Sequence, residues 1–191
     1  MQTKRVQIAV YGGAFNPPHI GHAVVIIQAS KMADTVVVAP SFAHPFGKRM
    51  APFSVRCEMV SDMISRLHRK GVNAVLSSAE RKIHEEQGEP VYSLSLLREL
   101  SRQYRVPGSK IGLVIGEDNI QHLSLFKNVA DLLNEFQILI VKENEQIHST
   151  VIRDKIAAGE DVSAYLVNSE MHELLSKTYN VTSDRGLTRA K

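Results

Sequence analysis

Apolar residues along the chain gather in five short runs, separated by longer stretches in which they recur every three or four positions. Val6–Val10, Thr35–Ala39, Asn73–Leu76, Lys110–Ile115 and Gln137–Val141 read as strands. These runs are continuous rather than alternating, as expected when both faces of a sheet are covered. Between them the period is helical. A helix is expected to begin near Ile20–His22. After Ser54, Val55, Met59, Met63 and Leu67 recur every fourth residue, with Val60 and Ile64 beside them. Leu94, Leu97 and Leu100 form another stripe, and Leu132 and Leu133 sit in a third. Ser149 or Thr150 is placed to cap a helix that runs through Ala158 and ends at Gly159. Ser169 is placed to cap a last helix holding Met171, Leu174 and Leu175.

Strands that alternate with helices imply an α/β fold: a doubly wound, Rossmann-like, mostly parallel five-stranded sheet with helices on both faces and right-handed crossovers. In such sheets ligands bind beyond the carboxyl ends of the strands, where the strand order reverses. Residues that directly follow strands are therefore the candidates for chemistry. The loop from Pro40 to Pro52, holding Gly, His, Lys and Arg, is long enough to be suspected of a function. The expected layout is a single domain over residues 1–179, with a small helical part near 160–179 and a polar, basic tail over 180–191.

Composition narrows the classes. The chain has 191 residues, 43% apolar and 23% charged, which suits a soluble domain with a sizeable core. The net charge of +3 permits phosphorylated ligands but makes no case for nucleic acid. One cysteine, Cys57, excludes an internal disulfide and a cysteine-based zinc cluster. No secretory signal is visible in Met1–Val10, and no apolar run approaches the length of a membrane span. A reducing cytoplasm is the expected compartment.

The most informative stretch is Tyr11-Gly12-Gly13-Ala14-Phe15-Asn16-Pro17-Pro18-His19-Ile20-Gly21-His22, between the first strand and the first helix. Gly12 and Gly13 let a bulky anion approach the backbone amides. The helix beginning near Ile20 aims its positive end at the same place. His19 and His22, three apart, share one face of its first turn. Zinc would need a third ligand that no spacing supplies, so no metal ligands are assigned.

This segment resembles the G-T-F-D-P-x-H-x-G-H signature of the nucleotidylyltransferase superfamily, and within it the nicotinate or nicotinamide mononucleotide adenylyltransferases. Ala14 and Asn16 stand where the pattern has Thr and Asp. Further marks follow, and the resemblance runs from about Val6 to Ala158. Ile147-His148-Ser149-Thr150-Val151-Ile152-Arg153 is similar to the family's Ile-Ser-Ser-Thr-x-Ile-Arg, with His148 in place of the first serine. Gly116-Glu117-Asp118-Asn119 resembles the Gly-x-Asp-x turn that meets adenosine. Glu80-Arg81, then Pro90-Val91-Tyr92-Ser93 with Leu96 and Leu97, resembles the region that contacts the mononucleotide. Ser93 is also placed to cap the helix that follows.

The resemblance implies transfer of AMP from ATP to the 5′-phosphate of a pyridine mononucleotide, with pyrophosphate released and Mg²⁺ accompanying ATP. It implies catalytic roles for His19, His22, Lys48 and Arg153, at least one imidazole being protonated or donating. ATP would be held by Gly12, Gly13, Ala14, Phe15, Gly21, Arg56, Gly116, Asp118, Ile147, Ser149 and Thr150. The mononucleotide would be held by Asn16, His44, Tyr92, Ser93 and Phe126; Arg49 is a further basic candidate in the long loop. Phe126 stands where the family often has Trp, and this chain has no Trp. Only Lys142–Gln146 separates the fifth strand from the Ile147 motif, where the family usually has a further strand. The implied partners are ATP and the mononucleotide, with no nucleic acid and no membrane; a homo-oligomer is left open. Two other readings stand beside this one: a transferase of the pantetheine-phosphate type, and a nucleotide-binding module without catalysis.

Overall fold

The computed structural model describes residues 5–43, 47, 49–142 and 147–180. His44 and Lys48, two of the expected site residues, lie outside them, as do Glu143–Gln146 and the tail beyond Asn180. Five strands form one sheet: β1 (Val6–Gly13), β2 (Ala33–Pro40), β3 (Ala74–Leu76), β4 (Ile111–Gly116) and β5 (Gln137–Val141). Their order is β3-β2-β1-β4-β5, and every neighbouring pair is parallel. The expected doubly wound sheet is thus what the chain forms. Its switch point lies between β1 and β4, since the chain leaves β1 toward β2 on one side and returns through β4 on the other.

The continuous apolar runs are explained by what covers each face. Alternate residues of β2 face opposite ways: Val36 and Val38 join one buried cluster, Val37 and Ala39 the other. On the first face the strands pack against α1 (Ile20–Ser30) and α2 (Phe53–His68), through Ala23, Ile26, Val60 and Leu67. On the second they pack against α3 (Ala79–Gln87), α4 (Ser93–Tyr104) and α5 (Val129–Glu135), through Ile83, Leu97, Leu100 and Leu132. A side chain of either parity is therefore buried, and polar alternation would be costly. Among the described residues no helix is long and apolar enough to cross a membrane.

Most expected elements are present, with shifted ends. β1 runs on to Gly13, so both glycines belong to the strand. α3 was not foreseen: it is largely polar and buries only Ala79, Glu80 and Ile83, so its apolar stripe is too thin to stand out. It ends at Gly88, whose φ of +70° favours glycine. The caps differ by one position. Tyr92, not Ser93, precedes α4, and His148, not Ser149, precedes α6 (Ser149–Ala157). Ser169 opens a short 3₁₀ turn to Met171 before α7 (His172–Asn180) begins.

A third apolar cluster joins α6 and α7 to α2 and the residues just before it. Ile152 and Ile156 of α6 and Leu175 and Tyr179 of α7 bury themselves with Ala51 and Met59. This cluster carries α6 and α7 up against the loop that follows β1.

Candidate active site

The loop between β1 and α1 is held from behind by its carbonyl oxygens. Gly13 O accepts from the Ser41 amide at 2.8 Å, and Ala14 O from Arg56 Nη1 at 2.7 Å. Asn16 O accepts from Arg153 Nη1 at 2.6 Å, and Pro17 O from Ser149 Oγ at 2.9 Å. His19 O accepts from the amides of His22 and Ala23. The ties come from β2's exit, α2 and α6, so elements distant in sequence converge on one short segment. A loop whose carbonyls are engaged on one side suits an anion, because the groups that would repel negative charge are already committed.

The loop's conformation is specific. The Asn16–Pro17 peptide is cis. Phe15 has φ +46°, a left-handed conformation that an aromatic residue rarely takes and that costs about 1–3 kcal/mol. Burial holds it there: its ring is 1% exposed, lies edge-on to Tyr11 at 5.4 Å and sits 4.8 Å from the His22 ring. Its cost therefore stiffens the turn that delivers the two histidines.

His19 and His22 lie side by side at the start of α1, ring centroids 3.8 Å apart. The His19 backbone N–H donates to His22 Nδ1 at 3.1 Å. That bond leaves the neutral His22 ring with its proton on Nε2, so Nε2 is a donor. Burial, with the neighbouring His19 second, holds the His22 imidazole well below its usual range. Burial likewise pushes His19 down to about 4, and nearby His148 adds to the effect. Of the two expected forms, protonated or donating, burial disfavours the charged one on both rings, and what His22 offers is a donated hydrogen bond. His19 Nδ1 is buried without a hydrogen-bond partner.

Gly21 makes room for this pair. A Cβ built there would lie 3.0 Å from both Cε1 and Nδ1 of His19, closer than a ring tolerates without moving. A Cβ at Gly12 would meet only Leu96 Cδ2 at 3.8 Å and Ala39 O at 3.9 Å, so the protein itself does not require glycine there. The space above Gly12 is left for something else.

Two expected ligand contacts are reassigned by the structure. Arg56 was expected at the triphosphate, yet it is 1% exposed. Its Nε, Nη1 and Nη2 donate to the carbonyls of Ala51, Ala14 and Ser41. The planar fork is used to join three loop segments, a task a point charge could not do. Asn16 was expected at the mononucleotide, yet it is buried, and its Oδ1 accepts from the Ala51 amide at 3.0 Å and the Tyr179 hydroxyl at 2.8 Å. Both side chains belong to the frame of the loop.

Arg153 is half-buried, with Nη2 3.1 Å from Thr150 Oγ1. The carbonyl of Ile147 lies 3.9 Å from the Cβ position of Gly21, which sets the start of α6 against the start of α1. Gly116 ends β4, and exposed Asp118 stands in the 3₁₀ segment that follows, where its Oδ1 accepts from Asn119 Nδ2. Tyr92 precedes α4 and Ser93 opens it, and Phe126 packs at the edge of the cluster beneath it.

Sequence reasoning noted Glu80 only as part of a motif, but the structure gives it a defined task. It is 5% exposed and accepts from the Phe42 amide at 3.0 Å and the Ser41 hydroxyl at 3.4 Å. Burial raises its carboxyl to about 7, against the pull of those two bonds and of Arg56. Glu80 and Arg56 thus pin both sides of Ser41, where the long loop leaves β2. Tyr179 was likewise not anticipated. No local signal marks it, because its partner lies 163 residues away.

A parallel sheet with a strained, carbonyl-tied loop, a neutral donor imidazole and a helix start on either side is the outline of a nucleotidyltransferase. The family model described as Cytidylyltransferase-like matches residues 10–170, and the chain belongs to that family. It is 30% identical over 172 residues to a Myxococcus xanthus protein named probable nicotinate-nucleotide adenylyltransferase, covering 81% of this chain and 84% of that one. A Chlorobium phaeobacteroides protein of the same name is 26% identical, over 88% of this chain and 100% of its own length. A solved structure from Vibrio parahaemolyticus, provisionally assigned as a nicotinate-nucleotide adenylyltransferase, superposes with a TM-score of 0.74 at 29% identity, covering 89% of this chain and 98% of that one. Plasmodium falciparum nicotinic acid mononucleotide adenylyltransferase complexed with NaAD shares the fold, with a TM-score of 0.67 at 15% identity over 95% of this chain and 97% of that one. Within its class, then, the chain is a member of the nicotinate-nucleotide adenylyltransferase family of enzymes.

Proposed function

We propose that the protein transfers AMP from ATP to the 5′-phosphate of nicotinate mononucleotide, forming the dinucleotide and releasing pyrophosphate. The observation that carries this reading is the loop from Gly13 to His19, whose carbonyls are tied back while His22 Nε2 is left as a donor beside it. The names of the relatives support nicotinate as the base.

In this reading an oxygen of the mononucleotide phosphate attacks the α-phosphorus of ATP. A bond to that oxygen forms as the bond to the bridging α–β oxygen breaks, and pyrophosphate leaves with the electron pair. The nucleophile is already an anion near neutral pH, so no strong base is needed. The work is alignment and stabilisation of the charge that builds on the leaving group. His22 donates from Nε2 to a phosphate oxygen, and His19 lies against the neighbouring oxygen. The amides of Gly13 to Phe15 and the start of α1 add partial positive charge. Arg153 steadies the polyphosphate with donors not engaged by Asn16 and Thr150. Gly116 and Asp118 face the adenosine, and Tyr92, Ser93 and Phe126 face the pyridine nucleotide.

Among the described residues no group of three or more His, Cys, Asp or Glu converges to hold a metal ion. In this reading magnesium arrives as part of the substrate, on the phosphates of ATP.

The test is pyrophosphate release with MgATP and a panel of nicotinate mononucleotide, nicotinamide mononucleotide and phosphopantetheine. Turnover should be fastest with nicotinate mononucleotide. His22→Ala should lower kcat by about 100-fold or more, since it removes a preorganised donor to developing charge. Turnover only with phosphopantetheine, or an unchanged rate in His22→Ala, would overturn the proposal.

A further inference from the structure

Three distant parts of the chain meet at Asn16. Its Oδ1 accepts from the Ala51 amide at 3.0 Å, just before α2, and from the Tyr179 hydroxyl at 2.8 Å, near the end of α7. Its main-chain oxygen accepts from Arg153 Nη1 at 2.6 Å, on α6. A carbonyl oxygen has two lone pairs, so the two donors saturate Oδ1 and hold the side chain from two directions. The residue before it, Phe15, is already in a left-handed conformation. Loosening the Asn16 side chain therefore loosens the peptide whose oxygen holds Arg153.

Arg153 depends on that oxygen for its aim. Its Nη2 lies 3.1 Å from Thr150 Oγ1, a partner on its own helix. The bond from Nη1 to Asn16 O is what refers the guanidinium to the turn that carries His19 and His22. A planar fork held at both ends has a fixed plane, and its other N–H groups then point in a fixed direction. Tyr179 supplies the far end of this chain of contacts. Its ring is 7% exposed and shares a buried cluster with Ile152 and Ile156, which flank Arg153 on α6. Burial pushes its hydroxyl up, against the pull of the Arg153 and Arg56 charges beside it, so the group keeps its proton and donates.

We propose that Tyr179 is a positioning residue for the transfer reaction: its hydroxyl, acting through Asn16, sets where Arg153 meets the polyphosphate. This rests on the proposed adenylylation and deepens it, by adding a residue of the last helix to the apparatus that aligns ATP. The hydroxyl is committed to Asn16 and lies behind the turn rather than at the substrate. Its loss should therefore fall on alignment, and so on kcat, and should leave binding of the mononucleotide unchanged.

The experiment is a double-mutant cycle on Tyr179→Phe and Arg153→Met. Pyrophosphate release is measured at saturating MgATP over a range of nicotinate mononucleotide, and thermal unfolding is followed on the same preparations. Tyr179→Phe keeps the buried ring and removes only the hydroxyl, so Tm should fall by less than about 5 °C. A displacement of 1 Å at an aligned group costs about 100-fold, and a fraction of that shift at Arg153 should lower kcat by about 10-fold. KM for the mononucleotide should stay within about twofold. In the Arg153→Met background the same change should lower kcat by less than about twofold, because the group that it positions is gone. An unchanged kcat in Tyr179→Phe overturns the proposal. Losses that multiply in the double variant do so too, since a hydroxyl that only supports the fold would act independently of Arg153. Wild-type turnover with either of these results removes the role of Tyr179 alone, whereas a wild type that turns over no mononucleotide removes the adenylylation reading with it.

Discussion

Gly21→Ala separates stability from activity. Gly21 is the second residue of α1, where alanine is the better helix former by up to about 1 kcal/mol. Its added methyl would lie 3.0 Å from Cε1 and Nδ1 of the His19 ring and 3.9 Å from the Ile147 carbonyl. Ordinary carbon contacts begin near 3.5 Å, so the ring must give way by a few tenths of an ångström. The ring is not free to do so without cost, because it is 6% exposed and stacked 3.8 Å from His22. The propensity gain and the contact cost nearly cancel, so stability should move by less than about 1 kcal/mol, a change in Tm of roughly 2–4 °C for a chain of this size. Catalysis has no such compensation. A displacement of up to 1 Å at an aligned group costs about 100-fold, so a shift of a few tenths should lower kcat by about 10-fold. Thermal unfolding and pyrophosphate release, measured on one preparation, check this. Wild-type kcat in a normally folded Gly21→Ala would refute the argument that His19 needs the space above Gly21.

The other predictions concern the frame and the protons. Glu80 has a folded-state pKa near 7, above its ordinary 4.5, so the folded protein holds that proton more tightly than the unfolded chain. Its contribution to stability is fully present below pH 4.5 and is lost as pH rises to about 7, and Glu80→Gln should flatten that part of a stability-against-pH curve measured by urea unfolding. A Gln variant that keeps the wild-type slope would show that Glu80 is not the group responsible. Arg56→Met keeps the apolar stem but leaves three carbonyls without their donor, and should cost about 3–5 kcal/mol in denaturant unfolding; a loss under about 1 kcal/mol would refute its role as the joint. In the ligand-free protein the His22 ring should remain the Nε2–H tautomer from pH 6 to 8, read from imidazole nitrogen shifts by NMR, and titration in that window would contradict the burial argument.

The sheet was legible because its signal is local. Five short, mainly apolar runs match strands covered on both faces, and the helices between them carry stripes at the expected spacing. The site was legible where residues adjacent in sequence act together, as in the turn from Gly12 to His22. It was illegible where the partner is distant. Nothing near Arg56 or Asn16 reveals that one will join three loop segments and the other will receive Tyr179, so the family resemblance alone places both at the ligands. Glu80 and α3 were obscured by the opposite effect, a buried carboxylate within a polar stretch whose apolar stripe is thin. Protonation was also hidden, since the spacing of His19 and His22 places them on one face but says nothing about how far burial lowers their charge.

The tie from Tyr179 to Asn16 has a consequence for how the molecule comes into being. The turn is synthesised 163 residues before this support. A nascent polypeptide still attached to the ribosome would possess the motif without its brace. The braced form of the turn then appears only once α7 has emerged and docked.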